Sequence, residues 1–247
     1  MKSSIYLTIL LLLLSAPLSA GSYSEGFEAV NQLPGDGWVF DNQSDFIGDL
    51  SWGQGFASVF PAQAGSDNSY ILGGVGQTGG NILCDWLILP DIGMVEQLNF
   101  FTRTVPNSPS ADNLLVAYSP SGGINTGPCV GGQPAFNGTA GSDFGDFQIL
   151  LSINPNLTAG TYPEQWTEFN VPVNGAGRLA LIYFVENVGQ SPFNGNLIGI
   201  DSISVGPITP INQGTPTSVP GLNTIGVILL MVVMLLLLAV TPFKSNN

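Results

Sequence analysis

From Ser22 to Gly206 the chain alternates short apolar runs, rich in β-branched and aromatic residues, with clusters of Gly, Asn, Ser and Pro. This spacing predicts strands over Ser24–Ala29, Trp38–Asp41, Tyr70–Gly73, Asp85–Leu89, Gln97–Thr104, Asn113–Ser119, Phe147–Ser152, Thr167–Val173, Arg178–Glu186 and Gly199–Val205. Nowhere in this body does a spacing of three and four persist for three turns, so no long helix is expected. Many short strands with Gly/Pro turns predict an all-β sandwich or barrel. Within Asn113–Ser119, Leu114, Val116 and Tyr118 share one side, while Leu115 and Ala117 take the other. Within Gly199–Val205, the same alternation places Asp201 with Ile203 and Val205, opposite Ile200, Ser202 and Ser204. A carboxylate on an apolar face needs donors or a cation, which makes Asp201 a candidate site residue.

The two ends have a different pattern. Met1 to Ala20 joins Lys2, an apolar stretch through Leu10–Leu14, a break at Pro17 and small residues at Ser19, Ala20 and Gly21. That is the pattern of a signal peptide removed after Ala20, since the apolar core is too short to span a bilayer comfortably. At the other end, Ile225 to Val240 carries no charge. As a helix those residues measure about 24 Å, and Leu222 to Phe243 about 33 Å, enough to cross a hydrocarbon core near 30 Å. Lys244 then stays on the cytoplasmic side. Residues 207–218, with Pro207, Pro210 and Pro216 and no charge, read as a linker between a sandwich over 22–206 and a C-terminal segment over 219–247.

Charge narrows the range of functions. Outside the two ends, Arg103 and Arg178 stand against all 17 acidic residues, a net of −15. Such a body repels nucleic acid and anionic headgroups. The chain has no His, which removes Ser-His-Asp and Cys-His chemistry and the commonest zinc ligand. Export places Cys84 and Cys129 in an oxidising compartment, where they are expected to form one disulfide; two buried thiols are the alternative.

The order of short motifs adds to this. Glu25-Gly-Phe-Glu28, Pro34-Gly-Asp-Gly-Trp38, Trp52-Gly53, Asp85-Trp-Leu-Ile-Leu-Pro90, Leu98-Asn-Phe-Phe-Thr-Arg103, Asp112–Ser119, Trp166 and Gly199-Ile-Asp-Ser-Ile-Ser204 resemble the choice-of-anchor J domain. That family is similar to the cleaved-adhesin and MAM domains, which are jelly-roll β-sandwiches. The resemblance covers about residues 23–206. It implies a non-enzymatic surface module for adhesion or matrix binding. It also implies Ca²⁺ near the meeting of the first and last strands, at Glu28 and Asp201, with Glu25 as a third ligand. Hard oxygen ligands suit that ion; a solvated Glu and an Asp bound to turn amides are the other reading.

Trp38, Trp86 and Trp166 are large enough to anchor an inter-sheet core, with a sugar-stacking platform as the competing role. A carbohydrate-binding module, the chief alternative function, is favoured by a Ca²⁺-dependent hit on a glycan array together with an exposed Trp52 or Phe56. A structural envelope protein without a discrete ligand is the third. Glu164 and Glu168 flank Trp166, but the spacing does not fix the separation that glycoside hydrolysis requires, so no enzymatic activity is expected. The glycosylation triplets at Asn42, Asn137 and Asn156 carry little weight in an Asn-rich chain.

Val219-Pro-Gly-Leu-Asn-Thr-Ile-Gly226, the apolar run and Lys244 resemble the IPTL-CTERM type of bacterial sorting tail. Gly221 stands where Thr is usual and Ile225 where an aromatic is usual. The resemblance implies Val219, Pro220, Gly221, Leu222, Gly226 and Lys244 as sorting residues and a sorting transpeptidase as partner. The alternative is a plain membrane anchor. Either way the expected location is the bacterial cell envelope or surface, with release to the matrix possible after cleavage.

Overall fold

The computed structural model describes residues 22–129, 143–188 and 194–207, all within the first of the chain's two units, Met1–Ile208. Eleven strands form: β1 (Tyr23–Glu25), β2 (Val39–Asn42), β3 (Gly53–Gln54), β4 (Ile71–Gly74), β5 (Ile82–Ile88), β6 (Met94–Thr104), β7 (Leu114–Ser119), β8 (Gln148–Ser152), β9 (Thr167–Ala176), β10 (Arg178–Glu186) and β11 (Leu197–Gly206). Short 3-10 turns cover Val30–Asp36 and Val75–Gln77. One sheet runs β3-β4-β11-β6-β9, with β1 also paired to β11, and the other runs β2-β5-β10-β7-β8. Every pairing between these strands is antiparallel. Most connections cross from one sheet to the other, so the expected all-β sandwich is what forms.

Alternation decides which side chains meet. Leu98 and Phe100 of β6, Val171 and Val173 of β9, and Ile198 and Ile200 of β11 face Leu83 and Leu87 of β5, Leu114 and Val116 of β7, and Leu179 and Leu181 of β10 in one core. The opposite faces of β5, β7 and β10 are covered as well. Cys84, Trp86, Ile88, Leu115, Ala117, Ala180, Ile182 and Phe184 pack beneath Phe144 and Phe147 in a second cluster. This double burial explains why β10 reads as a nearly unbroken apolar run, Leu179 to Val185. The expected Cys84–Cys129 disulfide is formed and ties the covering segment to β5.

Three expectations change. Trp86 lies in the outer cluster and not between the sheets, because it shares the parity of Cys84 and Ile88 on β5. Trp38 and Trp52 are the tryptophans of the inter-sheet core, while Trp166 is only half-buried. Asp201 faces away from Ile203 and Val205. The register against β6 slips by one residue between Asp201 and Ser204, with Ser202 at φ +51°. This β-bulge switches the parity of the strand, so Ile200, Ile203 and Val205 all enter the core and Asp201 turns to the other face.

Among the described residues no helix is long and apolar enough to cross a membrane. The expected signal peptide over 1–20, the expected linker beyond Pro207, the expected sorting segment over 219–247 and the Asn137 triplet lie outside the described residues.

Candidate functional site

The outer face of the six-stranded sheet carries an aromatic cluster over Gly199. Gly199 of β11 pairs with Arg103 of β6 and with Leu72 of β4. A Cβ here would stand 2.7 Å from the Phe60 ring and 2.9 Å from the Trp166 ring, a separation real side chains do not show. The missing side chain lets both rings lie on the sheet. Phe60 stacks on Tyr70 at a centroid distance of 4.9 Å and meets Trp166 edge-to-face at 5.5 Å, while Tyr70 and Trp166 are 5.6 Å apart. The Trp166 indole Nε1–H donates to the Pro61 carbonyl at 2.9 Å. The ring is thus held on one side and open on the other.

Arg103 completes the arrangement. Its guanidinium carbon lies 4.5 Å from the Phe60 ring centre and 5.9 Å from that of Trp166, within cation–π range. Nε donates to the Thr104 carbonyl at 3.2 Å and Nη2 to the Glu164 carbonyl at 2.5 Å. Main-chain carbonyls therefore hold this side chain. Burial pushes its pKa down and the neighbouring Tyr70 pulls it back up, while burial raises Tyr70. Arg103, Pro106, Glu164, Gln165 and Trp166 line a cleft of about 500 Å³. It offers an aromatic wall, guanidinium and amide donors, and a carboxylate acceptor, the mixture that recognises a polar ring with an apolar face. Glu168, considered with Glu164 as a hydrolytic pair, lies exposed on β9 opposite Phe101 and is not part of the cleft lining.

The loop that carries Phe60 is fastened to β11 by Asp201. Oδ2 accepts the main-chain N–H groups of Gln63 at 2.7 Å and Ala64 at 3.2 Å. Oδ1 accepts Ser202 N–H at 2.6 Å and, more weakly, the Ser202 hydroxyl at 3.4 Å. That hydroxyl also donates to Gln63 Oε1 at 2.6 Å. Burial raises the Asp201 pKa, and the Ala64, Gln63 and Ser202 donors oppose that rise.

Glu25 is committed elsewhere, accepting Phe27 N–H at 2.6 Å and the Tyr23 hydroxyl at 3.4 Å. Glu28 is exposed, its carboxylate lying against Gly26 and near Gly65. Asp201 and Glu28 thus flank the same loop. Among the described residues, however, no three Asp, Glu, Cys or His side chains gather into a group suited to a metal ion. The arrangement does not fit a Ca²⁺ cage. N–H groups, carrying partial positive charge, occupy the directions from which a cation would approach Asp201.

Trp52 is 3% exposed and Phe56 57%, so of the two rings that would favour carbohydrate binding only Phe56 reaches solvent. The sequence reasoning missed Phe60, Tyr70 and Gly199 as site residues. Arg103 carried a signal, as one of only two cations in an acidic body.

No protein-family model matches the chain, and no curated protein is similar to it. Among solved structures it is similar to the K1 cleaved adhesin domain of Lys-gingipain from Porphyromonas gingivalis W83, at 17% identity and a TM-score of 0.48, over 76% of this chain and 99% of that one. The K2 cleaved adhesin domain of Lys-gingipain gives 17% and 0.47, over 74% and 98%. A xylan-binding domain from Paenibacillus barcinonensis gives 14% and 0.38, over 76% and 96%. Values this low show neither a shared ligand nor a shared activity.

Proposed function

We propose that this chain is an exported, surface-displayed, non-enzymatic jelly-roll module for adhesion, and that it takes a saccharide unit in the cleft of Arg103, Glu164, Gln165 and Trp166. The observation that carries the reading is the half-exposed Trp166 ring, fixed by its bond to Pro61 at the wall of a cleft whose other side chains, Pro106 apart, are polar. An apolar ring face beside a guanidinium and a carboxylate matches a pyranose, which has one C–H face and hydroxyls at its edge. The guanidinium and the amide donate and the carboxylate accepts, so hydroxyl pairs are served from either side. The signal-peptide pattern and the Cys84–Cys129 bridge support export into an oxidising compartment. The sorting-tail pattern over 219–244 supports processing or anchoring at the envelope, and mass spectrometry of the mature C-terminus separates the two. An intact Lys244 means an anchor, whereas a new terminus near Pro220 means transpeptidase sorting.

A glycan array probed with the mature protein tests the ligand. Binding that is lost in Trp166→Ala is the expected result. An array without hits, from protein whose circular dichroism shows folded β-structure, overturns the saccharide reading and leaves a structural envelope role. Calcium has no part in this proposal.

A further inference from the structure

A second surface lies away from the cleft, on the strap that follows β2. Phe46 is 76% exposed, Ile47 68% and Leu50 59%, and Val75, beside them, is 37% exposed. The four belong to one ridge. Ile47 bridges Thr78, and the Leu50 side chain lies over Gly76, next to Val75. Monomeric proteins scatter single apolar residues over their surfaces, but seldom group them in this way without a partner.

The ridge is also held rigidly. Asp45 N–H donates to the Ile82 carbonyl at 3.0 Å, Gly48 N–H to that of Gln77 at 2.9 Å and Leu50 N–H to that of Gly76 at 3.1 Å. Gly79 N–H returns a bond to the Phe46 carbonyl at 2.8 Å, and the Thr78 hydroxyl donates to the Asp45 carbonyl at 3.1 Å. The approach is so close that a Cβ on Gly48 would stand 2.2 Å from the Gly76 carbonyl oxygen. Phe46 itself has φ +57°, a left-handed conformation that is unfavourable for a bulky residue. The strap therefore keeps a strained backbone at a point where the aromatic ring stands in solvent. Order of this kind lowers the entropy lost when a partner arrives.

Charge decides the occupant. Asp45, directly before Phe46, and Asp49, between Ile47 and Leu50, are exposed, on a body whose net charge is −15. A second copy would bring the same carboxylates into a symmetric contact, and anionic headgroups would be repelled in the same way. We infer that the ridge of Phe46, Ile47, Leu50 and Val75 is a docking surface for a cationic amphipathic polypeptide. Its apolar side chains cover the ridge, and its Lys or Arg residues meet Asp45 and Asp49.

The test uses the mature full-length chain and a fluorescein-labelled amphipathic Leu/Lys helical peptide, read by anisotropy. Paired replacement Phe46→Ser and Leu50→Ser removes surface side chains only, and circular dichroism checks that the fold is kept. It is expected to weaken binding about tenfold or more, as loss of a central apolar anchor does. Asp45→Asn with Asp49→Asn is expected to lessen the dependence of binding on salt, while Asp67→Asn with Asp91→Asn, exposed carboxylates elsewhere, leaves it unchanged. The inference is overturned if the peptide does not bind, or if the serine pair binds it as well as the native chain does. It is equally overturned if the control carboxylates matter as much as Asp45 and Asp49. A dimer in sedimentation that the serine pair dissolves assigns the ridge to a second copy and also overturns it. So does ridge-dependent flotation with phosphatidylcholine vesicles, which assigns it to lipid.

Discussion

The Asp201 carboxylate accepts the main-chain N–H of Gln63, 138 residues earlier in the chain, at 2.7 Å. This bond closes the loop that carries Phe60 and Pro61 onto the strand that carries Gly199, so it positions the wall on which Trp166 rests. Replacing Asp201 by Asn presents an amide to N–H groups that need acceptors, and leaves at least one of them unpaired. The expected cost is about 1–3 kcal/mol in urea unfolding, with a red shift of tryptophan emission as Trp166 loosens. The same clamp predicts that millimolar Ca²⁺ leaves the melting temperature of the native protein unchanged. A Ca²⁺-dependent rise would show that a cation replaces the amides, and would refute the clamp.

Trp166→Ala removes the open aromatic wall but touches neither core. Saccharide affinity is expected to fall about tenfold or more with little change in melting temperature, both measurable by calorimetry. Arg103→Lys keeps the charge but loses the planar fork that spans Phe60 and the Thr104 and Glu164 carbonyls, and is expected to weaken binding as well.

Asp85 sits on the inward face of β5, 1% exposed. Its Oδ2 has no partner, and Trp52 Nε1 and Gln77 Nε2 are likewise buried without one. Burial, with repulsion from Asp41 second and the Trp86 N–H opposing both, raises its pKa from 3.8 to about 7. The folded protein thus holds this proton more tightly than the unfolded chain does. The contribution is greatest below pH 4, falls as pH rises towards 7, and is flat above that. The whole difference is about 4 kcal/mol at most. Asp112 and Asp201 are raised by burial too, so they slope the same way. Urea unfolding between pH 4 and 8 is expected to show stability falling with pH, and Asp85→Asn to flatten the fall and stabilise the protein at pH 7. A stability that rises across this range would contradict the assignment.

The Cys84–Cys129 bridge spans 45 residues. In the chain-entropy account a loop of that length contributes about 4 kcal/mol. Its loss also frees the cover that buries Trp86 beneath Phe144 and Phe147, at 5.9 Å and 5.0 Å between ring centres. Cys84→Ser with Cys129→Ser is expected to melt well below the native protein and to bind a hydrophobic dye before the sandwich unfolds.

Much of the fold was legible in the sequence, because two-residue alternation survives wherever one face is buried. Leu114, Val116 and Tyr118 do face the core, with Leu115 and Ala117 opposite, and Arg178–Glu186 forms a strand with the predicted bounds. Alternation fails where an extra residue enters a strand. The bulge at Ser202 put Asp201 on the face opposite to the expected one, and nothing in Asp-Ser-Ile-Ser announces a slip. The two-residue strand β3 is too short to leave a periodic signal. The site was less legible than the fold, since Phe60, Tyr70, Arg103 and Trp166 are scattered along the chain and meet only through sheet pairing and the Asp201 clamp on the Phe60 loop. Trp86 and Trp166 illustrate the same limit: residue size argues for burial, but not for which of several faces provides it.

The pairing of β1 and β11, with Tyr23 beside Val205, has a mechanical consequence. Both termini of the sandwich emerge at one pole, whereas Arg103 and Gly199 lie towards the other end of β11. A ligand pulled at the cleft, against a tether attached beyond Gly206, would load β11 along its length. Its hydrogen bonds to β6 and β1 run across the strand, so they would bear that load together in shear and not peel one at a time. A strand placed in this way gives the module its greatest resistance to force applied along the line from the cleft to Gly206.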